Sequence, residues 1–444
     1  MNSTSSPVGT SDAFVMFGLT GDLGRKKLFP ALYELASHGD LGIPVIGVGR
    51  SEHTDDEIRS MFRDALSDHE PADGSEVDDA VIDSIQLSYL AGDSTDPATF
   101  DLILDRLGEA LSPVVYAALP PHLFGDVAAG MAASDFPDAA RLIVEKPFGN
   151  DVESARELWQ QMTDHIPADQ LFIVDHFLAK SAVENMAVVR HVNALIANSL
   201  DAGHVSRIEI DMSEAGDVDG RGSFYEGVGA INDVVQSHLL QTMALLMMEP
   251  PDDESVDDYR RERVALLADI DPVDPTKVTI GQYDGYRDHD GVADDSIVET
   301  FVALELHVSN DRWRGVPVTI RTGKNLPGTS TTATFHLADI ALSAGSHSNR
   351  IRFEVKPTPA LAIDIAVLDA ETHEPKETTL YACGPEDHGA LGDYATMFSN
   401  ARRGDQRHFA DIAGVVEAWR ILAPLADADL ELQTYQPGSD GPAT

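Results

Sequence analysis

From Ala13 to His176 short apolar runs alternate with stretches of helical period. AFVMFGL, PVIGVG, SIQLSYL, VVYAAL, RLIVE and LFIVD have the length of strands. Between them lie polar-apolar segments such as residues 54–67. There Thr54 stands before Asp55, Asp56 and Glu57, a capping residue followed by acids that suit a helix start. Strands separated by helices predict a parallel, doubly wound sheet, so residues 1–176 are expected to form an α/β domain.

After about residue 177 the rhythm changes. Helices are expected over roughly 179–198 and 228–248. Longer strands follow with few helices between them: SIVETFVALELHV, VPVTIRT, TTATFHLA, RIRFEV and ALAIDIAVL. Such spacing predicts a β+α domain over 177–444 with a large, mainly antiparallel sheet. Closing helices are expected near 389–402 and 406–422, then a frayed tail, GSDGPAT. PPDDESVDD, at 250–258, reads as a solvated loop. No internal repeat is visible.

Chemistry concentrates at strand ends. GLTGDLG, with Gly18, Gly21 and Gly24, follows the first strand and precedes a helical pattern. Gly18 permits a sharp turn, and Gly21 and Gly24 let backbone amides approach a pyrophosphate at a helix N-terminus. This Gly-x-x-Gly spacing departs from the usual fingerprint, and an ordinary strand–helix turn is the plain alternative. In a dinucleotide-binding Rossmann domain the second strand's end selects the cofactor. Here it presents Arg50 and Ser51, which suit the 2′-phosphate of NADP; Glu52 nearby leaves room for NAD. Pro30, nine residues into the helical pattern, predicts a kink or a break. In EKPFG a cis Lys146–Pro147 bond would aim Lys146.

Two further segments carry the reactive side chains. LFIVDHFLAK runs from a strand into Asp175, His176 and Lys180, and INDVVQSHLLQ places Asp233 and His238 at the head of an apolar helix. An acid, two histidines and a lysine are the parts needed to hold an anionic sugar and remove a hydroxyl proton. His176 and Lys180 share a face if a helix has already begun there. Asp233 and His238 lie roughly 140° apart on a regular helix, so they converge only if Asp233 sits at its start.

The charge balance narrows the partners. The chain carries 31 basic and 75 acidic residues, a net charge of −44. That surface repels nucleic acid and anionic membranes. Dense carboxylates remain soluble where the Debye length is only ~3 Å, near 1 M salt, and predict a salt-loving source. Cys383 is the sole cysteine, so no intrachain disulfide forms and a reducing, cytoplasmic setting is expected. Residues 1–12 carry no secretory pattern, and the longest apolar run is too short to span a bilayer. No Cys/His spacing suggests a metal. His122, His289 and His408 read as surface histidines, and Trp159, Trp313 and Trp419 as packing residues.

GLTGDLGRKKLFPALY, EKPFGND, DHFLAK, GRGSFYEGVGAINDVVQSHLLQ, NDRWRGVPVTIRTGK, GDQRHF and EAWRILAPL together resemble the glucose-6-phosphate dehydrogenase family, nearly end to end. The resemblance implies a Rossmann coenzyme domain, NADP (in some members NAD), and a homodimer or homotetramer. It implies oxidation of glucose 6-phosphate at C1 to 6-phosphogluconolactone, the oxidative entry to the pentose phosphate pathway. His238 matches the general base and Asp175 its carboxylate partner. His176 and Lys180 match the phosphate grip. Glu214 and Asp233 match sugar-hydroxyl ligands, Lys324 matches a further substrate contact, and Lys146 lies between sugar and cofactor. Gly18, Thr20, Gly21, Asp22, Leu23 and Arg50 fall at coenzyme positions.

Departures from the family pattern bear on substrate. Phe177 replaces the usual tyrosine, Ala179 a glycine and Ser181 a glutamate. NLPGTSTTATF, the stretch after RTGK, has no basic residue, and Thr329 stands near the place of the family's usual one. The expected consequence is a weaker hold on phosphate, through a high KM or a different sugar. The rivals are another hexose, aminosugar or sugar phosphate on the same scaffold, a general sugar oxidoreductase, and a dinucleotide-binding subunit without turnover. Lysine usage favours catalysis: of eight lysines, Lys26, Lys27, Lys146, Lys180 and Lys324 fall within these motifs.

Overall fold

The computed structural model describes residues 10–67, 76–218, 220–253, 255–339, 349–383 and 391–442. Residues 1–9, Glu254 and the last two residues of the tail, about which the sequence also raised expectations, lie outside them. Two compact units emerge. One runs over Met1–Lys180 and Asp387–Ile412, the other over Ser181–Glu386 and Ala413–Thr444.

In the first unit β1 (Ala13–Phe17), β2 (Val45–Gly49), β3 (Leu87–Ala91), β4 (Pro113–Ala117), β5 (Arg141–Val144) and β6 (Leu171–Val174) are the six expected strands. They pair in parallel in the order β6-β5-β4-β1-β2-β3. β1, β4, β5 and β6 are buried along their whole length, as parallel strands covered on both faces must be. The order reverses beside β1, and the glycine-rich turn leaves β1 at that switch point, where such sheets hold their ligands. The helix Asp55–Leu66 begins with the expected cap: Thr54 accepts from the Glu57 amide at 3.3 Å, and Glu57 accepts from the Thr54 amide at 2.8 Å.

Pro30 does not break its helix. The preceding turn, Gly24–Leu28, widens to i→i+5 hydrogen bonding, with the Phe29 amide donating to the Gly24 carbonyl. The α-helix Phe29–Ser37 continues directly from this wide turn, which accommodates the missing N–H of Pro30.

The C-terminal segment corrects the expected division at 176/177. The helix Asp393–Arg403 and the short strand Phe409–Ala410 (β15, numbered by its place in the chain) belong to the first unit. β15 pairs antiparallel with β6. Phe398 packs on Phe14 and Tyr116 with ring centroids 5.5 and 5.4 Å apart. Buried Arg141 donates to the carbonyls of Ala401 and Arg402. Periodicity along the chain reports an element's type but not which distant core will receive it.

The second unit is built on β7 (Val205–Ser213), β8 (Val278–Tyr283), β9 (Phe301–His307), β10 (Pro317–Gly323), β11 (Ser330–Leu337), β12 (Arg350–Lys356), β13 (Ala360–Leu368), β14 (Pro375–Cys383) and β16 (Leu432–Tyr435). The sheet order is β14-β13-β12-β11-β7-β10-β9-β8-β16, antiparallel except at β7/β10 and β8/β16. β7 escaped the sequence reading because Arg207, Glu209 and Asp211 alternate with its buried Ile208, Ile210 and Met212. The helix expected over 179–198 is two, Ser181–Val192 and Ala194–Ala197. The one expected over 228–248 is a wide turn, Ile231–Leu239, followed by the wholly buried α-helix Leu240–Met247.

Two loop expectations also change. Ser255 caps the helix Val256–Asp269, and Asp258, expected in solvent, is buried. The tail is packed rather than frayed through its described residues: Gly438 donates to the Asn325 carbonyl at 2.6 Å, and Pro442 fills the space over Gly281.

Candidate functional site

The turn after β1 fits a dinucleotide. Gly18 has φ +74°, and a Cβ there would lie 2.2 Å from the Ala118 carbonyl oxygen, so only glycine lets the two strand ends approach. At Gly21 a Cβ would meet only the Gly18 carbonyl, at 3.1 Å; this side of the turn is open. The amides that start the helix at Asp22 and Leu23 have no partners within it and are available to an anion. Leu23 packs on the core, and Asp22 forms an exposed ion pair with Lys26 at 3.0 Å. Thr20 faces the end of β2, with its hydroxyl bonded to that of Tyr89. The Tyr89 hydroxyl also donates to the Ser51 carbonyl at 2.9 Å. Arg50 is exposed beside them. Hydrogen bonds from Thr95 hold the Asp93 carboxyl below its usual range, and the Arg50 charge adds to that effect.

Two of the predicted residues of the first unit, Asp175 and His176, lie beside a side chain that sequence reasoning missed, Tyr394, and a third, Lys180, pairs with its neighbour Asp393. Asp175 is buried at the end of β6, where its carboxylate accepts from the Phe177 amide at 3.1 Å. Residues 176–179 form a tight turn, and the helix starts only at Ser181, so a shared helical face does not join His176 to Lys180. The helix Asp393–Arg403 joins them instead. The His176 ring stacks on Tyr394 with centroids 5.8 Å apart, and Lys180 forms an ion pair with Asp393. The Tyr394 hydroxyl donates to the buried Glu145 carboxylate at 3.1 Å, and the Tyr116 hydroxyl donates to the same oxygen. Burial pushes the Glu145 carboxyl up, opposed by these two hydroxyls and by the charge of Lys146. The Tyr394 hydroxyl is itself raised, by burial first and then by the Glu145, Asp393 and Asp175 carboxylates. The Lys146–Pro147 bond is cis.

In the second unit Glu214, Asp233 and Lys324 gather around Tyr225. Lys324 forms an ion pair with Glu214, and its ammonium lies 5.3 Å over the Tyr225 ring. Burial raises the Tyr225 hydroxyl well above its ordinary range, and the carboxylates of Asp233, Glu299 and Glu214 push it further. Thr329 places its hydroxyl 3.0 Å from the Ala215 amide, which donates to it. His238 is buried on the helix Ile231–Leu239. Hydrogen bonding there runs from i to i+5, so residues five apart are about one turn apart. Asp233 and His238 therefore lie on one side without Asp233 having to open the helix. Glu299, also missed, fixes that segment: its buried carboxylate accepts from the Ile231 amide at 2.9 Å.

The signals for the missed residues were faint. Tyr225 lies within GRGSFYEGVGAIND and Glu145 next to Lys146, but an aromatic or acid adjoining a motif usually packs rather than binds. Asp393 and Tyr394 had no sequence signal, because their neighbours in space lie over two hundred residues away. Among the described residues no group of histidine, cysteine and carboxylate side chains could hold a metal, and no helix is long and apolar enough to cross a membrane.

A doubly wound sheet with an open glycine turn at its switch point, and charged side chains at its strand ends, defines a nicotinamide-dinucleotide oxidoreductase. Residues 15–185 match the family described as glucose-6-phosphate dehydrogenase, NAD binding domain, and residues 187–444 match its C-terminal domain. The chain belongs to the glucose-6-phosphate dehydrogenase family. Glucose-6-phosphate 1-dehydrogenase 1 of Mycobacterium tuberculosis is 36% identical, over 98% of this chain and 94% of its own. The crystal structure of glucose-6-phosphate 1-dehydrogenase from Mycobacterium avium superposes with a TM-score of 0.90 at 36% identity, covering 98% and 95% of the two chains. A glucose-6-phosphate dehydrogenase in complex with its substrate glucose-6-phosphate gives a TM-score of 0.89 at 27% identity, covering 99% and 96%.

Proposed function

We propose that this chain oxidises glucose 6-phosphate at C1 to 6-phosphogluconolactone with NADP as its coenzyme. His238 takes the hydroxyl proton, and Asp175 steadies the resulting imidazolium. His176 and Lys180 hold the phosphate, Glu214, Asp233 and Lys324 hold the sugar, and Lys146 serves both sugar and coenzyme. Bound NADP supplies the hydride acceptor. Gly18, Thr20, Gly21, Asp22 and Leu23 cradle its pyrophosphate side, and Arg50 receives the 2′-phosphate. The observation that carries the reading is a pair of clusters, His176 and Lys180 against Tyr394 and Asp393, and Glu214, Asp233 and Lys324 around Tyr225.

Steady-state assays over a panel of sugars and both coenzymes test it. The expected result is the highest kcat/KM with glucose 6-phosphate and NADP; faster turnover of an unphosphorylated sugar would reject it. A second reading, the same scaffold acting on another hexose, aminosugar or sugar phosphate, draws on Phe177, whose ring lies 5.6 Å beneath the Lys180 ammonium and offers no hydroxyl. The same panel separates the two.

We further assign the protein to the cytoplasm, with a homodimer or homotetramer as its working form. Exposed Val367, Leu368, Leu380 and Tyr381 on β13 and β14 support association through that edge of the sheet. Light scattering at several concentrations tests the assembly.

A further inference from the structure

We infer that Asp393 is a specificity-setting residue: it is the counter-ion of Lys180 when the phosphate subsite is empty, and substrate phosphate has to take Lys180 from it. The inference rests on the reading of Lys180 as a phosphate ligand. The Lys180 ammonium and the Asp393 carboxylate are in direct contact, and both are shielded, with side-chain exposures of 19% and 29%.

Asp393 is held in that place from both sides. It is the first residue of the helix Asp393–Arg403, where the helix dipole favours a negative charge. Before it, the Gly392 amide donates to the Glu34 carboxylate at 2.8 Å. After it, Tyr394 is fixed through its hydroxyl bond to Glu145 and its stacking on His176. The carboxylate therefore stays beside the phosphate-gripping pair instead of swinging into solvent. A phosphate dianion arriving at Lys180 meets an anion already seated there, and the two repel at close range. A neutral sugar meets no such competition. Asp393 thus lowers the advantage of phosphorylated over unphosphorylated substrates, in the same direction as the loss of a hydroxyl at Phe177.

Steady-state kinetics of Asp393→Asn test this. The KM for glucose 6-phosphate should fall roughly three- to tenfold. Turnover at saturation and the KM for NADP should change by less than about twofold, and kcat/KM for glucose should not move. Inorganic phosphate, used as a competitive inhibitor, should bind more tightly by a similar factor. An unchanged or higher KM for glucose 6-phosphate would overturn the inference, a rise showing that Asp393 braces Lys180 instead of competing for it. Asp393→Ser removes the same charge and is measured alongside, with thermal melts to verify folding of both. Lys180→Met separates the two levels of the argument. If that variant leaves the KM for glucose 6-phosphate unchanged, the phosphate reading itself fails; if it raises that KM while Asp393→Asn does not lower it, only the role of Asp393 fails.

Discussion

Asp233 and His238 lie on one side of the helix Ile231–Leu239 because its hydrogen bonds run from i to i+5. On an α-helix of 3.6 residues per turn the same pair would be splayed. The wide turn presents the proposed sugar ligand and the proposed base together, and it leads into the buried α-helix Leu240–Met247, which anchors it.

His238→Asn keeps a polar side chain but removes the proposed base. Turnover should fall by about 10²–10⁴. NADPH affinity, read by fluorescence titration, should be unchanged. An undiminished rate would remove His238 from the mechanism.

Gly229 has φ +69°, and a Cβ there would lie 2.5 Å from the Glu299 carboxylate that receives the Ile231 amide. Gly229→Ala should therefore cost about 1–3 kcal/mol in urea unfolding. It should also lower kcat more than it raises KM, because the displaced segment carries His238. Wild-type kinetics in a destabilised variant would separate the wide turn from catalysis.

Arg50→Ala removes the cation proposed to meet the 2′-phosphate. Charged hydrogen bonds contribute roughly 1.5–3 kcal/mol each, so the KM for NADP should rise by at least about tenfold while that for NAD stays within about twofold. Equal losses with both coenzymes would point to a structural role for the side chain.

Burial, and next the positive charges of Arg190 and Arg312, lower the pKa of His191 from 6.5 to about 4. Above pH 6.5 the imidazole is neutral in both folded and unfolded chains. As pH falls from 6.5 towards 4 the unfolded chain takes up a proton that the folded chain refuses, so stability is lost across that window. His191→Phe removes this proton uptake and should show a shallower decline of Tm over the same range. Parallel curves would mean that His191 titrates normally.

A net charge of −44 predicts strong self-repulsion at low ionic strength. The Tm should rise steadily as potassium chloride increases towards 1 M, where the Debye length is ~3 Å. A Tm indifferent to salt would reject the salt-adapted reading of the surface.

The parallel sheet was legible because each of its strands is a short apolar run, a signal that survives without knowledge of any neighbour. Thr54 and its acids were legible for the same reason: a capping box closes over four residues. β7 was obscured by Arg207, Glu209 and Asp211, since alternating charges in so acidic a chain resemble ordinary surface. The wide helix at 231–239 was hidden as well, because the pattern of apolar residues does not distinguish one hydrogen-bonding pitch from another over two turns.

What the sequence determined by itself is therefore the local and the chemical: the element types, the glycine turn after β1, and the identity of Asp175, His176, Lys180, Asp233 and His238 as the polar groups at strand and helix ends. Only the tertiary structure decided that the helix Asp393–Arg403 returns to the first unit, that Tyr394 stacks on His176, and that Asp393 occupies Lys180. Tyr225, Glu214 and Lys324 likewise meet only once β7 and β10 pair. The reason is one of range. Backbone propensity and periodicity act within a few residues, whereas a charge or a ring acquires its function from whichever side chains long-range packing sets against it.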